Sequence, residues 1–254
     1  RARAGDWAGL LVEYRDISLE PREILLRVTG YDRDGDAPHY DRVVVGDMDE
    51  ARAWLYAVLP TPSAAPRVTV AAYEAVEAPT GTGPLAFRPG RLLGRTWVET
   101  GTLTPPETSL VGVVGTRDFG LRAYATSIEA GGVRVLPLGH EHTEVVTGLS
   151  VLELPDRWQG LYPFEVLVWG RGGPDTDPTT MAPERARAIG EWVRRGGHLV
   201  VVIPPVGQEW TAIARNPLAP ILPAVRVERH ESVPLAPFRP LLTFDPVAPL
   251  PGSA

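Results

Sequence analysis

Two imidazoles and a carboxylate stand together at Gly139-His140-Glu141-His142. In an extended segment alternate residues share a face, so His140 and His142 could converge on one ion. With Glu141 beside them, the cluster outlines a hydrolase, metal-dependent or not. A transition metal wants a third protein ligand, which the sequence does not nominate, and a polar loop at a sheet rim accounts for the same residues. Asp32-Arg33-Asp34-Gly35-Asp36 opens like a calcium loop, with carboxylates at its first, third and fifth positions. Ala37 and Val43 then stand where such a loop needs Gly and Glu. A hairpin turn, which favours Asp and Gly, fits better.

Two glycine-bearing turns form the remaining candidate, a ligand crevice. Gly115-Thr116-Arg117-Asp118 and Gly170-Arg171-Gly172-Gly173 each combine small residues for close backbone approach with an Arg able to pair a carboxylate or phosphate. The plainer alternative is that the glycines end strands and the arginines are solvated. Gly170-Arg171-Gly172-Gly173 is no phosphate loop, lacking the Lys and the following Ser or Thr. The seven tryptophans raise a carbohydrate-binding module as a further reading. Trp54, Trp97, Trp169 and Trp192 lie among apolar neighbours and are expected in the core, leaving Trp7, Trp158 and Trp210 as possible platforms.

The elements that must carry these residues fall into two groups. Leu10–Tyr14, Glu23–Val28, Arg42–Val45, Ala53–Leu59, Arg67–Tyr73 and Arg91–Val98 are short β-branched or aromatic runs separated by Gly, Pro and Asp turns. They predict an immunoglobulin-like β-sandwich over residues 1–107. After Pro105-Pro106 the pattern alternates: strand Leu110–Gly115, helix Phe119–Glu129, strand Val133–Leu138, a short helix near Trp158, strand Glu165–Trp169, helix Ala182–Arg195 and strand Leu199–Ile203. That order predicts a doubly wound, mainly parallel α/β domain over 108–233, with its ligand crevice at the Gly115–Asp118 and Gly170–Gly172 turns. Leu199–Ile203 reads as a strand buried on both faces. Eleven prolines after Ile203 leave little regular structure, Val225–Val233 being one plausible edge strand, and 234–254 reads as a tail or linker.

Arg185 through Val202, with its helix, Gly196-Gly197 and hydrophobic strand, resembles the class I glutamine amidotransferase-like fold, a flavodoxin-like α/β architecture. Phe164–Gly170 and Leu110–Gly115 extend the resemblance, which covers residues 109 to 227. Active members of that family place a cysteine on the tight turn after the strand matched by Leu199–Ile203. Here the turn reads Ile203-Pro204-Pro205-Val206-Gly207, and the chain contains no cysteine. The family's downstream His-x-Glu pair is also unmatched, since His230 and Glu231 are adjacent. The resemblance implies the scaffold without its chemistry.

Composition narrows the function further. The net charge is −6, and every one of the 25 basic residues is Arg. The first 107 residues hold 12 Arg against 16 acids and the remainder 13 against 15, so neither part is a basic module and nucleic acid is excluded as a natural partner. With no cysteine, disulfides, thiolate metal sites and cysteine nucleophiles are excluded too. No apolar run reaches the ~18 residues of a membrane span. The start without Met and the Pro-rich finish suggest a segment of a longer polypeptide, with any membrane anchor outside it. The expectation is a non-catalytic binding or assembly module without a cofactor, the extracytoplasmic part of a larger bacterial envelope protein, with a cytoplasmic setting as the alternative. Its partners would be proteins or other domains of the same polypeptide.

Overall fold

The computed structural model describes residues 2, 3, 5–18, 20–30, 36–59, 67–79, 86–99, 104, 108–121, 142–170, 174–203, 210 and 216–223. Residues 1–222 pack as one compact unit and 223–254 as a second, of which Pro223 is described.

The six strands expected in the first hundred residues all form: β1 Trp7–Tyr14, β2 Arg22–Thr29, β3 His39–Gly46, β4 Ala51–Val58, β5 Arg67–Glu77 and β6 Phe87–Glu99. β1 and β4 pair as a two-stranded antiparallel sheet, and the others make a four-stranded antiparallel sheet in the order β3-β2-β5-β6. Alternation along each strand sends one apolar set inward. Ile24, Leu26 and Val28 meet Ala53, Leu55 and Ala57 from the other sheet, with Val68 and Val70 from β5, in one buried cluster. At about 1.5–3 kcal/mol for each large aliphatic side chain, this burial is what holds the two sheets together. The arrangement is a β-sandwich, but its order departs from the immunoglobulin pattern: the first strand pairs with the fourth rather than the second.

A third sheet contains β7 Thr108–Val114, β8 His142–Leu149, β9 Val166–Trp169 and β10 His198–Val201, all parallel, in the order β10-β9-β7-β8. The expected doubly wound α/β domain is not what folds. Half of the described residues are strand, and a single α-helix, α1 Pro183–Arg194, accompanies them. The reason is local between β8 and β9. Ser150 caps one 3-10 turn at Val151–Glu153, Pro155 interrupts the chain, and a second 3-10 turn follows at Trp158–Gly160, so no helix covers the sheet there. Phe119, where a helix was expected to begin, has φ of 52°, in the left-handed region that ends helices. Residues 122–129 and the expected strand Val133–Leu138 lie outside the described residues. Among the described residues, β7 lies between β9 and His142–Leu149, a strand to which the sequence pattern assigns no element.

The helix α1 forms as its sequence dictates, with Pro183 in the first turn, Glu184 near the N-terminus and Arg194 in the last turn. Ala186, Ile189 and Trp192 face Val151, Leu154, Leu161, Leu167 and Trp169 in a second buried cluster, and Trp192 Nε1 donates to the Phe164 carbonyl. β10 corrects the expectation of a fully buried strand. It is an edge strand of this sheet, and Val200 is 46% exposed. Two tryptophan placements are corrected as well: Trp97 stands in the open, whereas Trp210 is buried edge-on against Trp169.

Candidate functional site

The turn at Pro155–Gly160 is where the β1–β4 sheet meets the parallel sheet and α1, and glycine makes the approach possible. A Cβ on Gly9 of β1 would stand 3.1 Å from the Gly160 Cα, and one on Gly160 would strike Pro155 at 2.4 Å and the Tyr56 ring at 3.0 Å. Two backbone segments touching this closely leave no room for an intervening side chain.

Beside that contact Asp156 gathers groups from the sandwich. Arg42 Nη1 on β3 donates to Asp156 Oδ2 at 2.6 Å and to the Trp54 carbonyl at 3.1 Å. The Tyr56 hydroxyl on β4 donates to Asp156 Oδ1 at 2.5 Å and accepts from the Arg157 backbone N–H at 3.1 Å. Burial of the Tyr56 ring, reinforced by this bond to a carboxylate, pushes its hydroxyl well above the ordinary tyrosine range. Arg52–Glu153 at 2.7 Å and Arg3–Glu165 at 2.9 Å add further ties between the sandwich and the parallel-sheet segment.

Next to this network lies an open cleft of about 650 Å³. One wall is β3 with Tyr40 and Arg42, another is the 156–159 turn, and a third is α1 with Glu184, Arg187 and Glu191, which share a helix face by their spacing of three and four. Each carboxylate here has its own arginine: Asp41 with Arg27, Asp156 with Arg42, Glu184 with Arg187 and Glu191 with Arg195. Arg157 differs. Its guanidinium lies 5.3 Å over the Tyr40 ring, exposed and without a carboxylate partner among the described residues. Tyr40 stands edge-on to Tyr56 at 5.4 Å, and Trp158 is covered on one face by Arg195 at 4.0 Å. Among the described residues no Ser, Thr or His lines the cleft, which offers cations, aromatic faces and carboxylates already paired with arginine.

The predicted turns arrive elsewhere. Val114 pairs with Trp169, so Gly115-Thr116-Arg117-Asp118 and Gly170 do come together at the ends of β7 and β9, while Arg171 and Gly172 lie outside the described residues. The space there is occupied by the chain itself. A Cβ on Gly170 would come within 2.0 Å of the Phe119 ring, and one on Gly115 within 3.0 Å of Thr176, whose carbonyl accepts from Trp169 Nε1 at 2.8 Å. The small residues admit Phe119 and Thr176, the role a ligand was expected to take.

His142 opens β8 opposite Thr108, and His140 and Glu141 lie outside the described residues. Among the described residues no three His, Asp or Glu side chains are grouped to hold a metal. The Asp32–Asp36 turn falls outside them except Asp36, as do residues 204–209 of the turn compared with the amidotransferase nucleophile. For a sugar platform the structure offers Trp97, which carries Arg67 5.7 Å over its ring, and no pair of exposed tryptophans among the described residues.

Sequence reasoning did not single out Arg42, Tyr56, Asp156 or Arg157 as site residues. Asp156 finds Tyr56 and Arg42 across separations of 100 and 114 residues, and no local spacing encodes that. No described helix is long and apolar enough to cross a membrane. No family model, no curated protein and no solved structure matches the chain.

Proposed function

We propose that this chain is a non-catalytic binding module that takes an acidic, aromatic-bearing segment of a protein partner in the cleft between β3, the 156–159 turn and α1. The observation that carries it is Arg157: a cation without a carboxylate partner among the described residues, held on the Tyr40 ring in a cleft that Trp158 also lines and whose carboxylates are already matched to arginines. A guanidinium so placed pairs an incoming carboxylate bidentately, and the flanking rings accept its apolar neighbour. The filling of the β7–β9 crevice by Phe119 and Thr176 supports a binding role over an enzymatic one, because the best address for a reacting ligand in such a sheet is taken. A setting outside the cytoplasm, as part of a larger envelope protein, belongs to the same proposal and agrees with a chain that has no thiol to oxidise.

The test is a fluorescence titration of the chain with two twelve-residue peptides, one alternating Glu and Phe and the other Gln and Phe. Saturable binding of the Glu peptide, at least about tenfold tighter than the Gln peptide and lost in Arg157→Ala, is expected for one charge-assisted pair. Equal binding of both peptides, or binding that Arg157→Ala leaves untouched, sinks the proposal.

A further inference from the structure

The sandwich is lopsided. Among the described residues four strands face two, and β6 is the edge strand of the wider sheet. Register shifts between Ala72 and Tyr73 and between Tyr73 and Ala75 disturb its first half, whereas Gly94–Glu99 pairs regularly with β5 from Ala72 back to Arg67. Those six residues are all exposed, on both faces. Trp97 is 58% exposed on the outer face, and Val98, which points the same way as the core residue Val68 opposite it, is still 40% exposed. The narrower sheet does not reach far enough to cover it.

An exposed edge of this kind presents unpaired backbone groups that template another strand. Natural edges are commonly defended by charge or proline, and the first half of β6 has both, in Arg88, Pro89 and Arg91. In the second half the charges are arranged differently. Arg95, Trp97 and Glu99 alternate along the outer face as cation, aromatic and anion. Arg95 has no carboxylate partner among the described residues, and Glu99 meets Arg67 in a solvent-exposed pair at 3.2 Å.

This order is self-complementary under a two-fold axis. Laid antiparallel on a second copy with Trp97 opposite Trp97, each Arg95 falls opposite the other copy's Glu99, and Thr96 falls opposite Val98. In this register the central pair is aromatic, flanked by two ion pairs. We infer that β6 joins two copies of this chain edge to edge, fusing their four-stranded sheets into one of eight strands. A five-residue seam falls short of the ~1,200 Å² at the lower end of stable interfaces, so the dimer is weak and concentration-dependent.

Sedimentation equilibrium of the 254-residue chain over a range from micromolar to millimolar tests this. Wild type is expected to dimerise reversibly, and less so at high salt. Arg95→Glu puts acids opposite acids and Glu99→Arg puts cations opposite cations, so each variant alone should self-associate roughly tenfold or more weakly than wild type. Mixed one to one they restore both ion pairs, and a heterodimer of wild-type affinity is expected. Both positions are exposed, and an unchanged melting temperature verifies that the variants fold. Wild type that stays monomeric throughout the range overturns the inference, as does a dimer indifferent to either variant or a mixture that fails to recover.

Discussion

Tyr56 shows how one hydroxyl ties distant parts of the chain. It donates to Asp156 and accepts from the Arg157 backbone, so Tyr56→Phe leaves a carboxylate one donor short and a backbone N–H without its acceptor. A hydrogen bond to a charged group is worth about 1.5–3 kcal/mol, and a loss of that size is expected in chemical denaturation at pH 7. The pH dependence follows from the raised hydroxyl. Above about pH 10 the unfolded tyrosine ionises while the folded one keeps its proton, so Tyr56 costs stability as pH rises beyond that point. The gap between wild type and Tyr56→Phe should therefore narrow in alkali, and a constant gap contradicts the assignment. Asp16 behaves oppositely. Buried and gripped by Arg22 and then by Ser18, its carboxyl is held well below the usual carboxylate range. It contributes stability above about pH 4, lost as pH falls toward the depressed value. Asp16→Asn is expected to be less stable than wild type at neutral pH, with the difference shrinking below pH 4. Equal urea midpoints at pH 7 contradict this.

At the scale of elements, the close contact of β1 with the Trp158–Gly160 turn sets where the cleft opens. Gly160→Ala drives a methyl into Pro155 and the Tyr56 ring, and overpacking of this kind costs about 1–3 kcal/mol. It should also weaken peptide binding, because Arg157 and Trp158 precede Gly160 on the same turn; a variant as stable and as tightly bound as wild type would show that the contact does not position the cleft. Short β-branched or aromatic runs between Gly, Pro and Asp turns mark all six sandwich strands, and Pro183, Glu184 and Gly196-Gly197 mark α1 to within a residue or two. What local pattern does not carry is pairing. That β1 joins β4, and that β8 begins at His142, depend on partners far along the chain. β10 shows the same limit: a continuous apolar run reads as central, yet its place in the sheet is the edge, and Val200 meets solvent. Trp97 is expected inside for its apolar neighbours, but its register opposite Thr69 puts it on the outer face of β6, away from the core that Val68 enters, and it stands in the open.

Across the whole molecule, the predicted chemistry and the observed opening are in different places. The turns at Gly115 and Gly170 were readable because glycine after an apolar strand is a strong local signal, but that same smallness admits Phe119 and Thr176. The cleft beside Asp156 is built by elements distant in sequence, and its cation, Arg157, looks in the sequence like any solvated arginine. Recognition therefore turns on the charge of this one side chain. Its most direct test is calorimetric titration of wild type and Arg157→Glu with the Glu-Phe peptide and with an Arg-Phe peptide of the same length. Wild type is expected to prefer the acidic peptide and the reversal variant the basic one. The same preference in both proteins would place recognition elsewhere and contradict the account.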